Sequence, residues 1–311
     1  MEFKFSLPTP RESIIASGIA VIFLVLTTTF TGVRPEHFIL MILFLLFFFI
    51  GEKPRKLTVG LLPFLIFGIS YDWMRIYPNY MVNPVDVENL YNLEKMLFGI
   101  KMAETVLIPC EYFAEHHSVV ADFLSGVFYF GWVPVPVLFA LYLYTKKDRD
   151  MFLRFSLVFL LVNFIGFTGY YIYPAAPPWY AMNYGFEAVL NTPGNMAGLA
   201  RFDELIGFPL FNSIYGRNAN VFAAVPSLHS AYLVVVLFYA LKKKCNLYIV
   251  ATVIVFMLGI WFTAVYTSHH YVVDVLLGIF CALLGFGLFE FVFMCTRRFP
   301  AFFNKYLDYI S

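Results

Sequence analysis

Long apolar runs recur along the chain, broken by short polar and basic stretches, and this pattern sets the predicted architecture. Within hydrocarbon every backbone N–H and C=O must be satisfied inside its own segment, so such runs are predicted to be membrane-spanning helices. Eight are expected, over residues 13–30, 37–50, 57–70, 119–144, 151–173, 221–241, 247–266 and 271–295, the second and third being short. Two long segments, 71–118 and 174–220, interrupt them, and connections of that length usually carry function. In the first, Leu90, Leu93, Leu97 and Ile100 recur at helical spacing beside Glu88, Asn92 and Lys95, which predicts either an interfacial helix or an ordinary packed surface helix. The second opens on Tyr173-Pro174-Ala175-Ala176-Pro177-Pro178-Trp179-Tyr180, where prolines restrict the backbone and aromatics suit the headgroup layer, so a stiff rim is expected there.

The predicted fold class is all-α, a polytopic transmembrane helix bundle of about eight spans. Its expected parts are N-terminal transmembrane helices (1–70), an extracytoplasmic interfacial segment (71–118), a transmembrane core (119–295) and a cytoplasmic tail (296–311).

Charge gives this arrangement an orientation, because Lys and Arg are retained on the cytoplasmic side during insertion. One set of segments holds Lys4, Arg11, Lys53, Arg55, Lys56, Lys146, Lys147, Arg149, Arg154, Lys242, Lys243, Lys244, Arg297, Arg298 and Lys305. The opposite set, with far longer loops, holds only Arg34, Arg75, Lys95, Lys101, Arg201 and Arg217. Both termini are therefore expected in the cytoplasm and both long segments outside. The first run follows a basic start as a signal peptide does, but Thr27-Thr28-Thr29-Phe30-Thr31-Gly32 lacks an A-x-A cleavage pattern, so an uncleaved anchor is expected.

Composition agrees: 61% of the 311 residues are apolar and 13% charged, so the charged coat of a water-soluble surface is missing. A formal charge of +1 gives no support to nucleic acid as a partner. Cys110, Cys245, Cys281 and Cys295 form no C-x-x-C pair, and on this topology only Cys110 faces outward, so no disulfide framework is expected.

Three of six histidines converge by topology. His229 lies near the outer start of the sixth run, and His269 and His270 at the outer start of the eighth. His270 and Asp274, four residues apart, are expected on one helix face. A carboxylate that holds one imidazole nitrogen fixes the tautomer and leaves the other nitrogen free as a base or nucleophile. Asp274 would also be costly as an unpaired charge at membrane depth. In Pro226-Ser227-Leu228-His229-Ser230, a proline in a first helical turn and free N–H groups would favour an anion. Ser227 reads as a phosphate ligand or a helix cap. Three histidines could also hold zinc, but the partner carboxylate and the Pro-Ser-x-His context fit phosphate chemistry better. His37, His116 and His117 read as packing residues.

Pro-Ser-x-His followed by His-x-x-x-Asp, each opening a late span, resembles the type 2 phosphatidic acid phosphatase (PAP2) superfamily. Pro-Ser-Leu-His-Ser, His-His-Tyr-x-x-Asp and the Tyr-Pro-Ala-Ala-Pro-Pro-Trp-Tyr loop, with Tyr71, Asp72, Arg75, Glu94, Lys95, Leu97, Phe98 and Gly99, are similar to its inositol-phosphorylceramide synthase branch. The resemblance spans about residues 71 to 280 and implies that the transmembrane core (119–295) is a catalytic, PAP2-like six-helix core. The superfamily's phosphatases carry K-x6-R-P and S-R-x5-H motifs, and neither is present: Ala264, preceded by Thr263, stands where Arg preceded by Ser would be. Arg217 and Arg201 are the available substitutes as phosphate clamps, with helix N-terminal amides as further donors.

Residues and resemblance together imply a phosphoryl transfer in which His270 attacks phosphorus, Asp274 orients it and His229 protonates the leaving oxygen. His269 would contact substrate. The implied donor is phosphatidylinositol and the implied acceptor a ceramide-type lipid, with no metal or cofactor. Two other readings stand beside this one: a PAP2-type phosphatase using water, and a transporter or scaffold, which the near charge-free span centres disfavour. A compact chain without a retention signal suggests a bacterial inner membrane.

Overall fold

The computed structural model describes residues 6–216 and 220–311. It is an all-helical membrane protein with one small hairpin. The chain opens with α1 (Pro10–Thr31), α2 (Pro35–Phe49), α3 (Glu52–Gly60) and α4 (Leu62–Trp73). Pro10 and Pro35 occupy first turns, where a helix has no partner for the missing N–H anyway. The third predicted run is two helices rather than one. Pro63 has no N–H to return to the Val59 carbonyl, and the Tyr306 hydroxyl donates to that carbonyl instead, at 2.5 Å.

Next come α5 (Glu88–Phe98), a hairpin of β1 (Ile100–Met102) and β2 (Thr105–Leu107), and α6 (Pro109–Glu115). Ile100 starts a strand instead of extending the helix, because the chain turns extended at Gly99. The fourth predicted run is α7 (Val119–Phe130) and α8 (Pro134–Thr145), bent by 45° across Gly131-Trp132-Val133 ahead of Pro134. Then follow α9 (Arg149–Ile172), the short α10 (Pro178–Tyr184), α11 (Ala200–Ile206) and α12 (Leu210–Tyr215), then α13 (Leu228–Lys242), α14 (Leu247–Tyr266) and α15 (Val272–Gly287). Beyond a π turn at Leu288–Val292, the chain ends in α16 (Phe299–Ile310).

Among the described residues, four helices are long and apolar enough to span a bilayer, or five with the bent pair counted as one, where eight spans were expected. The shortfall is physical: α2 and α13 have 15 residues each, and the third run is broken.

Small residues let α9, α13 and α15 approach closely. A Cβ on Gly278 would lie 2.0 Å from the Ser227 carbonyl oxygen, one on Gly166 2.5 Å from Leu228, and one on Gly285 2.5 Å from Val162. At one end of this core, Glu290 pairs with Lys242 at 2.6 Å and Arg154 at 3.0 Å, and Lys243 pairs with Asp148. At the other end, main-chain bonds lace three loops together: Asp86 N–H donates to Pro174 O at 2.8 Å, Ala175 N–H to Phe222 O at 3.0 Å and Ala224 N–H to Ala175 O at 3.3 Å. Buried Asn79 donates to both Tyr170 O and Phe222 O at 2.8 Å. The proline-rich loop is one of these three strands of the rim.

Candidate active site

Asp274, His270 and His229 form a line. His270 Nδ1 lies 3.5 Å from Asp274 Oδ2, and His270 Nε2 lies 3.1 Å from His229 Nδ1. The tautomer that serves both contacts has His270 Nδ1–H toward the carboxylate and its Nε2 lone pair toward His229.

This line is built differently from the helix face expected of His270 and Asp274. Tyr271 is the N-cap of α15, so His270 lies outside the helix, and Asp274 in the first turn folds back to accept the Tyr271 N–H at 2.9 Å. The pairing thus comes from a capping turn. The loop before it is fixed by Ala264 O, which accepts both His269 N–H at 3.0 Å and His270 N–H at 2.9 Å. Burial holds the His270 imidazole down to about 4, hence neutral at ordinary pH, which is the state a nitrogen nucleophile needs. His229 is positioned by α13. Pro226 stands one residue before the Ser227 N-cap rather than in the first turn, and its ring packs on Gly169.

Both histidines line a cavity of about 220 Å³. Its lining combines aromatic side chains, among them Phe67, Phe167, Tyr170 and Tyr232, with the polar Asn195, Tyr215, Asn220 and His269. Trp179 and Pro177 of the proline-rich loop complete it, and the Trp179 N–H donates to Ser268 O at 3.0 Å. Among the described residues no Lys or Arg lines the cavity.

The sequence-derived contact residues fare unequally. His269 lines the cavity between the rings of Tyr129 and Tyr215, with Nδ1 3.0 Å from Thr267 Oγ1 and Nε2 lacking a hydrogen-bond partner among the described residues. Burial and the neighbouring imidazoles keep it neutral. Ser227 is fully buried at the α13–α15 seam, accepts from the Ser230 hydroxyl at 3.1 Å, and does not line the cavity. Arg201 does not line it either: its Nε holds Asp122 at 2.6 Å, although Nη2 is buried without a hydrogen-bond partner among the described residues. Arg217 lies outside the described residues. At the Pro226–Ser230 start, where free N–H groups were expected to favour an anion, Ser227 N–H donates to Asp274 O at 3.0 Å and Ser230 N–H to Ser227 O at 3.2 Å, and at the start of α15 the Tyr271 N–H is taken by Asp274 and those of Val272 and Val273 by Glu94.

Sequence reasoning missed Trp132 and Tyr129. The break between α7 and α8 sets Trp132 edge-on to His229, ring centroids 4.7 Å apart, and Tyr129 stacks on the same imidazole at 5.1 Å. Only the Gly131-Trp132-Val133-Pro134 interruption hinted at this.

The PAP2 superfamily profile matches residues 99–288. The chain is 60% identical to phosphoinositol dihydroceramide synthase of Bacteroides thetaiotaomicron over 305 residues, 98% of this chain and the whole of that protein. It is 26% identical over 265 residues to the inositol phosphorylceramide synthase catalytic subunit AUR1 of Saccharomyces cerevisiae, 83% of this chain and 63% of that one. Inositol phosphorylceramide synthase of Candida albicans is 26% identical over 71% of this chain, which spans 46% of that protein's length. No solved structure matches.

Proposed function

The chain belongs to the PAP2 superfamily, and from that premise we propose that it transfers the phosphoinositol headgroup of phosphatidylinositol to the primary hydroxyl of ceramide or dihydroceramide, releasing diacylglycerol. The relatives' names supply the headgroup and the acceptor. The observation that carries the chemistry is the Asp274–His270–His229 line at the wall of a cavity lined by both aromatic and polar side chains.

In the first step the His270 Nε2 lone pair attacks phosphorus, the bond from phosphorus to the diacylglycerol oxygen breaks, and protonated His229 gives its proton to that oxygen. Asp274 holds the His270 Nδ1–H and offsets the positive charge that the ring gains. In the second step neutral His229 takes the proton of the ceramide hydroxyl, the new oxygen–phosphorus bond forms, and His270 leaves. His269 and Arg217 serve as headgroup or phosphate contacts, and Arg201 acts on that side of the site from its bond with Asp122.

The cavity also favours transfer from a diester over hydrolysis of a monoester. A phosphodiester carries one negative charge, a monoester close to two, and a site with Arg217 as its one assigned phosphate-contacting cation, and no lining Lys or Arg among the described residues, matches the smaller charge. The basic ends of the core helices lie opposite the histidines, which supports cytoplasmic termini and a site on the extracytoplasmic side, here of a bacterial inner membrane.

The test is mass spectrometry of lipids after purified protein meets phosphatidylinositol and dihydroceramide in mixed micelles. Inositol phosphorylceramide with equal diacylglycerol is expected. Free inositol phosphate as the sole phosphorus product would instead make water the acceptor.

A further inference from the structure

Glu94 is a carboxylate with no solvent exposure that the reaction scheme leaves unused. It lies on α5, outside residues 99–288 that match the superfamily, yet it reaches the start of α15. One oxygen accepts the Val272 N–H at 2.9 Å and the other the Val273 N–H at 3.2 Å. With Asp274 on the Tyr271 N–H, two carboxylates satisfy three successive amides beside the His270–Asp274 pair. A helix start leaves such donors unpaired and carries partial positive charge, so an ionised acid bonded there fixes the turn in place.

Resting on the reading of His270 and Asp274 as catalytic, we propose that Glu94 is a positioning residue, whose ionised carboxylate holds the α15 capping turn so that Asp274 and His270 stay aligned. When Glu94 is protonated, one oxygen becomes a hydroxyl and its hold on an amide weakens, and the turn loosens without any loss of a reacting group.

The surroundings make this ionisation sensitive near neutrality. Burial pushes the Glu94 carboxyl up to about 7 against the two N–H bonds, with nearby Asp274 adding to the rise. The other titratable groups facing it are Tyr271 beside α15 and Cys110 on α6. On α5 itself, Tyr91 donates to Glu111 of α6. From α10 come Tyr180, whose hydroxyl is bonded to Glu187 O and the Val189 N–H, and Tyr184, which stacks on it. Turnover should therefore rise with pH through a limb near 7 as Glu94 loses its proton.

Two variants test this. Glu94→Gln keeps size and one acceptor but sets an NH2 group against an amide N–H. It should lower kcat about tenfold or more with KM for both lipids within about twofold, and should remove the limb near pH 7. Val272→Pro deletes one donor to Glu94 at the first helical position, which proline suits. Tyr271, at φ −70° and ψ 159°, already has the backbone a residue before proline needs. Here Glu94 loses one of the bonds that favour its charge, so the limb should move to higher pH. A merely structural cap predicts lower thermal stability in both variants with the pH profile unmoved. Wild-type kcat and limb in Glu94→Gln, or an unmoved limb in a folded Val272→Pro, would overturn the proposal. Wild-type protein and His270→Ala run alongside separate the two levels: no transfer by the wild type, or transfer by His270→Ala, removes the underlying reading instead.

Discussion

His229 Nδ1 and His270 Nε2 are in direct contact at 3.1 Å, too close for a phosphorus atom to lie between them. Attack needs nitrogen about 3 to 3.5 Å from phosphorus, and proton delivery needs a second nitrogen within about 3 Å of the leaving oxygen, so the rings must part by several ångströms when substrate enters. His270 is fixed by its main-chain bond to Ala264 O with Asp274 3.5 Å from its Nδ1, whereas His229 projects from α13 into the cavity, half-buried between Tyr129 and Trp132. On the proposed mechanism His229 is therefore the ring expected to swing.

The two histidines should fail differently. His270→Ala is expected to abolish headgroup transfer with expression intact, since no other group replaces the nucleophile. His229→Ala should retain slow turnover, down about 10²- to 10⁴-fold, the usual range for a lost proton donor. A leaving group that needs no proton, such as a p-nitrophenyl ester of inositol phosphate, should recover the first step in His229→Ala and not in His270→Ala. Equal losses with that ester would contradict the division of roles.

Asp274→Asn preserves the shape of the capping turn but lets the amide stabilise the wrong tautomer of His270. Its kcat should drop about 10³- to 10⁴-fold, with substrate affinity nearly unchanged. Lipid binding measured on the inactive variant checks the second half of that statement.

Donor charge gives a third outcome. Dianionic phosphatidic acid should be a poor substrate and a weak competitor against phosphatidylinositol, because Arg217 as the one assigned phosphate-contacting cation offsets a single charge and no lining Lys or Arg among the described residues meets the second. Arg217 falls in sequence between the lining residues Tyr215 and Asn220, so Arg217→Ala is expected to raise KM for the donor more than for ceramide. Separate titrations of each lipid measure this.

Packing near the site is equally exposed to test. A methyl on Gly278 would sit 2.0 Å from the Ser227 carbonyl oxygen, a backbone atom that cannot turn away. Gly278→Ala should cost more than the usual 1 to about 3 kcal/mol of overpacking and spread α13 from α15, which parts His229 from His270. The thermal transition in detergent and residual transfer should fall together.

The histidine pair and Asp274 were legible in the sequence because short motifs at the starts of two late apolar runs carry them, and helix starts at one end of a bundle meet in space. The helical class was legible because hydrocarbon allows few alternatives. Span boundaries were not, since Pro63 and Pro134 break apolar runs that hydropathy reads as continuous. Ser227 looked like a phosphate ligand, yet the close approach allowed by Gly278 turns it into the α13–α15 seam. Trp132 reaches the site through tertiary contact from a distant segment, which no local spacing records, and Glu94, marked in the sequence by the branch resemblance alone and without a role, reaches it in the same way.

The phosphoinositol adduct itself is the remaining observable. Protein incubated with inositol-labelled phosphatidylinositol and no ceramide, quenched at alkaline pH and digested, should yield one peptide heavier by an inositol phosphate on His270. Added ceramide should discharge it, and His270→Ala should never form it. Rapid transfer to ceramide with no adduct on any histidine, at time resolution shorter than a turnover, would show that the headgroup passes directly between lipids.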